Sequence, residues 1–334
     1  MDQTNAIGII LSDKALELIL LPTEQCNFRC SYCYENFAVG RMERSVINGI
    51  KSLLSTRVPD LSLLKIQWFG GEPLAAKDIV LDISNAASNL AKQNPEIRYR
   101  SSMTTNGYFL NVELMSQLIE VGVQRFQILL DGPCEFHDRT RRRANGEGTF
   151  QQIWSNLIAL KQTDLDFTII LRVHLTPENI DSMPEFVTKL LDSFDDSRFS
   201  IIFREILHMG GPNDKIVNVL KGSGYSMIAK LKKLVEERQP SLTVNEPSSD
   251  EICYAAKANS FIIRANGNVG KCTVAIEEDR NNVGKLLEDG RVVISVDKLK
   301  PWMRGLTTLD SSVLSCPAAN WPKLTRGSEL TNVV

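Results

Sequence analysis

The sequence predicts an α/β fold in which strands run parallel and helices cross over between them. Strand-length apolar runs alternate six times with segments of helical spacing, and such alternation implies parallel strands with crossover helices. The residues that carry chemistry fall just after the first four strands, where parallel α/β barrels place their active sites. From about Gln239 the character changes. Pro240, Pro247 and Ser248-Ser249-Asp250 read as a linker, and a β-rich remainder follows. The expected organisation is a lead-in over residues 1–16, a partial (β/α)6 barrel over 17–238, and a small β-rich domain over 239–334.

Within the lead-in, Ile7–Leu11 is a candidate edge strand. Glu17–Leu21 is a compact apolar run ended by Pro22, and reads as a buried strand. Met42–Thr56 repeats its apolar residues at helical spacing. Leu64–Phe69 is the second strand, ended by Gly70-Gly71-Glu72-Pro73, and Asp78–Gln93 is helical. Tyr99–Thr105 is the third, closed by Asn106-Gly107; the helix Val112–Val121 stops at Gly122. Arg125–Leu130 is the fourth, ended by Asp131-Gly132-Pro133 and followed by the helix Phe150–Gln162. Phe167–His174 and Arg198–Ile206 are the fifth and sixth, with helices Met183–Phe194 and Tyr225–Arg238 behind them. The strand cores are nearly continuous apolar runs, as expected when both faces are covered. Past the linker, Phe261–Ile263 and Val292–Val296 read as short strands.

The 334 residues suffice for one barrel-sized domain and an appendage. Hydrophobic content of 43% and charged content of 23% fit a soluble globular enzyme. A formal net charge of −2 argues against nucleic acid or an anionic membrane as partner. Met1-Asp2-Gln3-Thr4-Asn5 lacks the basic start of a secretory signal, and no apolar run approaches bilayer length. A cytoplasmic location follows, where the seven cysteines are ligands or reactive groups rather than disulfides.

The most informative stretch is Cys26-Asn27-Phe28-Arg29-Cys30-Ser31-Tyr32-Cys33. Soft thiolate ligands suit zinc or an iron–sulfur cluster. A closed zinc site takes four ligands and this loop supplies three, so a zinc knuckle would need a distant fourth. On a cubane, three thiolates leave one iron open to a ligand that is not protein.

Further motifs follow in order: Leu21-Pro22-Thr23-Glu24-Gln25, Trp68-Phe69-Gly70-Gly71-Glu72-Pro73, Thr104-Thr105-Asn106-Gly107, Asp131-Gly132-Pro133 through His137-Asp138, and Gly146-Glu147-Gly148-Thr149-Phe150. With the cysteine spacing and Tyr32 before the last thiol, the combination resembles the radical S-adenosylmethionine (SAM) superfamily. Within it, the chain is similar to the peptide-modifying branch, maturases of ribosomally made peptides with a SPASM or twitch C-terminal domain. The likeness covers most of residues 17–210. It implies that Cys26, Cys30 and Cys33 hold a [4Fe–4S] cluster whose open iron binds SAM. Tyr32 would lie near the adenine, and Gly70, Gly71, Glu72 and Pro73 would meet the methionine amino group. Thr104 belongs to the third motif, Asn106 is a candidate ribose contact, and Arg172 is a candidate partner for the SAM carboxylate. Relatives often carry Ser or Thr where this chain has Leu129. The implied reaction is one-electron cleavage of SAM to a 5′-deoxyadenosyl radical, which takes hydrogen from an unactivated carbon.

Cys253, Gly267 and Cys272 fit the opening half of the SPASM pattern, but of its later cysteines only Cys316 is present. The resemblance favours a reduced, twitch-like domain with one auxiliary [4Fe–4S] cluster on Cys253, Cys272 and Cys316; the alternative is a degenerate domain with three buried thiols. Cys134 is a candidate hydrogen donor to a substrate radical, which would make the enzyme an epimerase, or an incidental small residue. Glu205 is a candidate base. His137 with Asp138 reads as structural. Arg139 and Arg141-Arg142-Arg143 form either a solvated loop or an anchor for an acidic peptide.

The expected function is hydrogen abstraction from a precursor peptide, leading to a carbon–carbon crosslink or a thioether. An auxiliary cluster could accept the electron that oxidative ring closure releases. A flavodoxin- or ferredoxin-type electron donor is implied. The 25 residues before Cys26 leave no room for a full leader-binding domain, so a separate leader-binding protein, the basic loop or the tail after Cys316 is expected to recognise the precursor. The rival readings are a radical SAM enzyme acting on a small molecule or protein side chain, and a non-enzymatic zinc-binding protein.

Overall fold

Six strands follow one another in chain order across one parallel sheet of the computed structural model, which describes residues 8, 10–220, 224–242, 252–319 and 321. They are β1 (Ala15–Leu20), β3 (Leu63–Trp68), β4 (Arg98–Thr105), β5 (Val123–Leu130), β7 (Thr168–Leu175) and β8 (Phe199–Glu205). A crossover follows each, through α1 (Arg44–Arg57), α2 (Lys77–Gln93), α3 (Val112–Glu120), α5 (Phe150–Lys161) and α6 (Met183–Ser193); α7 (Gly224–Arg238) follows β8. This is the winding of a (β/α)6 barrel. It stays open, since β8 pairs only with β7 among the described strands.

The helices form where apolar residues recur at turn spacing. In α1, Val46, Ile47, Ile50 and Leu54 are buried, each contributing about 1.5–3 kcal/mol when taken fully from water. Asn111 starts α3 by accepting from Leu114 N at 2.8 Å. The strands depart from the expected doubly covered pattern. Leu64, Ile66 and Trp68 of β3 are buried, whereas Lys65 and Gln67 are only half-buried. One strand face packs under helices and the other lines the lumen of an open barrel, so apolar and polar residues alternate.

Two elements connect the mouth to itself. β2 (Phe28–Cys30) lies inside the cysteine loop and pairs antiparallel with β6 (Arg141–Arg143). The short α4 (Cys134–Thr140) precedes β6. Neither was expected, because a three-residue strand carries no periodicity.

Past residue 252 the sheet continues. β9 (Ser260–Ile263) pairs parallel with β1, and β10 (Asn268–Gly270), β11 (Gly284–Leu286) and β12 (Val292–Ile294) add an antiparallel meander. α8 (Val296–Thr308) and α9 (Ser311–Ser315) follow. The strand expected over Val292–Val296 therefore ends early: Val296 opens α8, which buries Trp302 and lets its Nε1 donate to Arg280 O at 3.1 Å. In place of the Ile7–Leu11 strand, Gly8, Ile10 and Leu11 are helical. Of the linker, Pro240–Leu242 forms a 3-10 turn, while Pro247 and Ser248–Asp250 lie outside the described residues, as does the tail beyond 321. No helix among the described residues is long and apolar enough to cross a membrane.

Candidate active site

The C-terminal ends of the strands surround a cavity of about 270 Å³. Cys26, Cys30 and Cys33 all line it. Their loop is held by backbone: Ser31 N donates to Thr140 O at 2.9 Å, Ala144 N to Asn27 O at 2.8 Å, and Cys33 N to Cys30 O at 3.1 Å. Phe28 N donates to Cys26 Sγ at 3.3 Å. Burial pushes all three thiols up, Cys33 to about 12, while Arg141 draws Cys30 part of the way back. Iron must therefore displace their protons to bind.

Opposite the loop, Gly70 and Gly71 line the cavity. Gly70 has φ +106°, and a Cβ on Gly71 would lie 2.4 Å from Gln25 O. Only glycines permit this approach of the turn to the cysteine loop. Glu72, expected with the turn to meet the SAM amino group, does not line this cavity. Glu72 is fully buried; Oε1 accepts from Leu74 N at 3.0 Å and Thr105 Oγ1 at 2.7 Å, and Oε2 from Asn106 N at 2.7 Å. It braces the ends of β3 and β4, because a buried carboxylate takes the donors nearest to it. Pro73, also buried, opens the 3-10 turn behind it.

Thr104, Asn106 and Arg172 line the cavity as anticipated. Asn106 Nδ2 donates to Asn27 Oδ1 at 2.8 Å, tying the end of β4 to the cysteine loop. Arg172 Nε is buried without a hydrogen-bond partner, and burial lowers its pKa. Glu205 and Leu129 line the cavity too, and Glu205 Oε1 is likewise buried and unpartnered. Cys134 does not line it: in the first turn of α4 its thiol donates to Asp138 Oδ2 at 3.5 Å. β5 ends before that turn, which carries the side chain off the rim.

Sequence reasoning missed a buried polar network around Tyr32. Its hydroxyl donates to Asp131 Oδ1 at 3.0 Å, accepts from Arg141 Nη1 at 2.9 Å, and lies 3.2 Å from His174 Nδ1. Thr140 Oγ1 donates to Asp131 Oδ2 at 2.6 Å. Burial opposes charge on Asp131, yet the His174 hydrogen bond and Arg141 hold its carboxyl well below the usual range. Burial also lowers His174, against the upward pull of Asp131. Arg141 is buried, so the expected basic loop divides: this residue serves the site, whereas Arg142 is exposed and the half-buried Arg143 lies over the Tyr108 ring. The three adjacent arginines carried no signal to tell them apart. Glu35 was missed as well. It lines the cavity, and burial with Glu24 nearby raises it to about 8.

Cys253 and Cys272 are partly buried and Cys316 is exposed. They lie close enough that Cys272 and Cys316 raise Cys253, after burial itself. Thr273 and Val274, directly after Cys272, line the mouth cavity. Among the described residues no group of three His, Cys, Asp or Glu side chains is placed to hold a single metal ion.

The description of the radical SAM superfamily matches residues 20–190, just over half of the chain. The chain belongs to the radical SAM superfamily. It is 32% identical over 139 residues to a GTP 3′,8-cyclase of Desulforamulus reducens, covering 40% of this chain and 39% of the relative. It is 27% identical over 187 residues to a cysteine-type anaerobic sulfatase-maturating enzyme of Clostridium novyi, covering 53% and 49%. The chain thus spans half or less of these relatives' length. Among solved structures it resembles Streptococcus suis SuiB bound to precursor peptide SuiA, with TM-score 0.63 and 13% identity over 94% of this chain and 72% of that one; this likeness concerns the fold.

A [4Fe–4S] cluster and SAM are the cofactors of this radical SAM family, and the site fits them. Three partly buried thiols share one cavity, one already accepting a backbone N–H. A glycine turn with no room for a Cβ and the buried, unpartnered Nε of Arg172 line the same cavity.

Proposed function

We propose that this radical SAM enzyme acts on a ribosomally made precursor peptide and forms a crosslink within it, carbon–carbon or thioether. The observation that carries the reading is the convergence of Cys26, Cys30, Cys33, Gly70, Gly71 and Arg172 on one cavity at the strand ends. The sulfatase-maturating relative and the peptide-bound SuiB fold support a peptide substrate.

Cys26, Cys30 and Cys33 would hold the cluster, and the Gly70–Gly71 backbone would meet the SAM amino group. Arg172 would pair with its carboxylate, Asn106 with its ribose, and Tyr32, fixed by Asp131 and Arg141, would flank the adenine. Bound there, cluster and SAM supply an adenosyl radical able to take hydrogen from unactivated carbon. Glu205 stands at the rim as a base for the proton lost on ring closure. We assign residues 239–334 to an auxiliary-cluster unit, with Cys253, Cys272 and Cys316 as ligands and electron acceptor. A flavodoxin- or ferredoxin-type donor would reduce the enzyme, and a separate leader-binding protein would present the precursor.

The test is anaerobic reconstitution with a strong reductant and a co-expressed precursor. Crosslinking predicts 5′-deoxyadenosine and a peptide lighter by two hydrogens. A modified peptide of unchanged mass would instead indicate epimerisation, and a fully loaded enzyme that never yields 5′-deoxyadenosine would refute the whole reading. A second reading, turnover of a small molecule, is favoured by the likeness to the GTP 3′,8-cyclase; conversion of a free metabolite would establish it.

A further inference from the structure

The lumen continues below the mouth. Thr104 and Gln127 line the mouth cavity and also a second cavity of about 500 Å³. Lys65 of β3, Arg100 of β4 and Arg125 of β5 line the second cavity toward the N-terminal ends of their strands. Lys65 and Arg100 stand opposite each other in register, and Arg125 is opposite Ser102. Like charges directly opposite on adjacent strands destabilise a sheet. Among the described residues none of the three cations has an ion pair or side-chain hydrogen bond. The carboxylate in register with Lys65 is Glu17, and it is engaged by Gln67 Nε2 at 2.5 Å and Lys257 Nζ at 3.3 Å.

Arg100 and Arg125 are exposed and Lys65 is half-buried, so these cations are solvated and open to an incoming anion. Two are arginines, whose forked donors fit a carboxylate. Gln67 and Ser102, level with Arg125, and Thr104 and Gln127 nearer the mouth are neutral wall groups that can hydrogen-bond peptide amides. We propose that the barrel lumen is a substrate channel whose basic floor anchors a carboxylate of the peptide that reacts at the mouth. This deepens the peptide reading and rests on it. From Arg100 to Thr104 the strand rises about 13 Å, a distance an extended peptide spans in about four residues. The acidic group therefore belongs about four residues from the modified one.

The experiment uses the reconstituted full chain and two fluorescein-labelled heptapeptides, alike except that one ends in glutamate amide and the other in glutamine amide. Anisotropy titration should show the acidic peptide binding about tenfold tighter at low salt, the preference shrinking as salt is raised. The variant Lys65→Gln/Arg100→Gln/Arg125→Gln should bind both alike while keeping cluster absorbance and cooperative unfolding. Arg100→Gln alone, at an exposed position, should show part of the loss if the triple variant fails to fold. Equal binding by the wild type, or a preference that survives in the variants, overturns the proposal. So does tighter binding of guanosine triphosphate with the same loss in the variant, which would assign the floor to a nucleotide. Failure of the peptide reading itself appears separately, as wild-type enzyme that yields no 5′-deoxyadenosine with any peptide.

Discussion

Glu72 shows how a motif residue can serve a site without facing it. Its carboxylate collects three donors from two strand ends. Glu72→Gln turns an amide NH2 toward Asn106 N, so a buried donor loses its acceptor, at a cost of about 1–3 kcal/mol. Urea unfolding should register that loss, and SAM affinity should fall with it, since Asn106 lines the cavity. His137 makes a different prediction. Burial and Arg141 lower it from 6.5 to about 4; Asp131 N donates to its Nδ1 and Thr149 Oγ1 lies 3.1 Å from Nε2. Between those values the unfolded chain binds a proton that the folded chain refuses, so stability falls as pH drops from 6.5 to about 4. The full effect is at most about 3 kcal/mol. His137→Gln should flatten that part of the urea-midpoint profile; an unchanged slope would mean the ring is protonated in the folded enzyme.

At the scale of elements, α1 opposes local preference to tertiary packing. Helix propensity says that Gly49→Ala should stabilise α1 by about 1 kcal/mol. A Cβ at that position, however, would lie 2.4 Å from Leu287 O, a backbone atom in the turn between β11 and β12. The packing term wins, and thermal unfolding should show a net loss of about 1–3 kcal/mol. The β2–β6 pair is the other element decided by tertiary contact. It fastens the cysteine loop to the segment after β5 through Cys30 and Arg141 in register, and brings Arg141 under Tyr32.

In the whole molecule, the C-terminal part completes the sheet that the barrel begins. β9 covers the edge of β1, and Arg264 after it reaches back to Glu24 at 2.6 Å and Glu277 at 2.8 Å, bracing the approach to the cysteine loop. A chain cut after residue 242 would leave β1 as an exposed edge with buried apolar neighbours Ile19 and Leu21 uncovered. Size-exclusion chromatography should find it aggregated; a monodisperse fragment that retains cluster colour would show that the barrel stands alone.

The six strands and their helices were legible because both periodicities are local, and the observed ends differ from the expected ones by one or two residues. The cysteine loop was legible from its own spacing, whereas the glycine turn, Asn106 and Arg172 were named through the family resemblance; all four parts line one cavity. What the sequence could not decide is where a side chain points once strands from distant segments meet. Glu72 turns inward to β4, Cys134 turns off the rim, one arginine of three becomes part of the site, and Lys65, Arg100 and Arg125 gather in one lumen. Each outcome depends on register between segments far apart in the chain, set by the whole sheet and not by any window of residues.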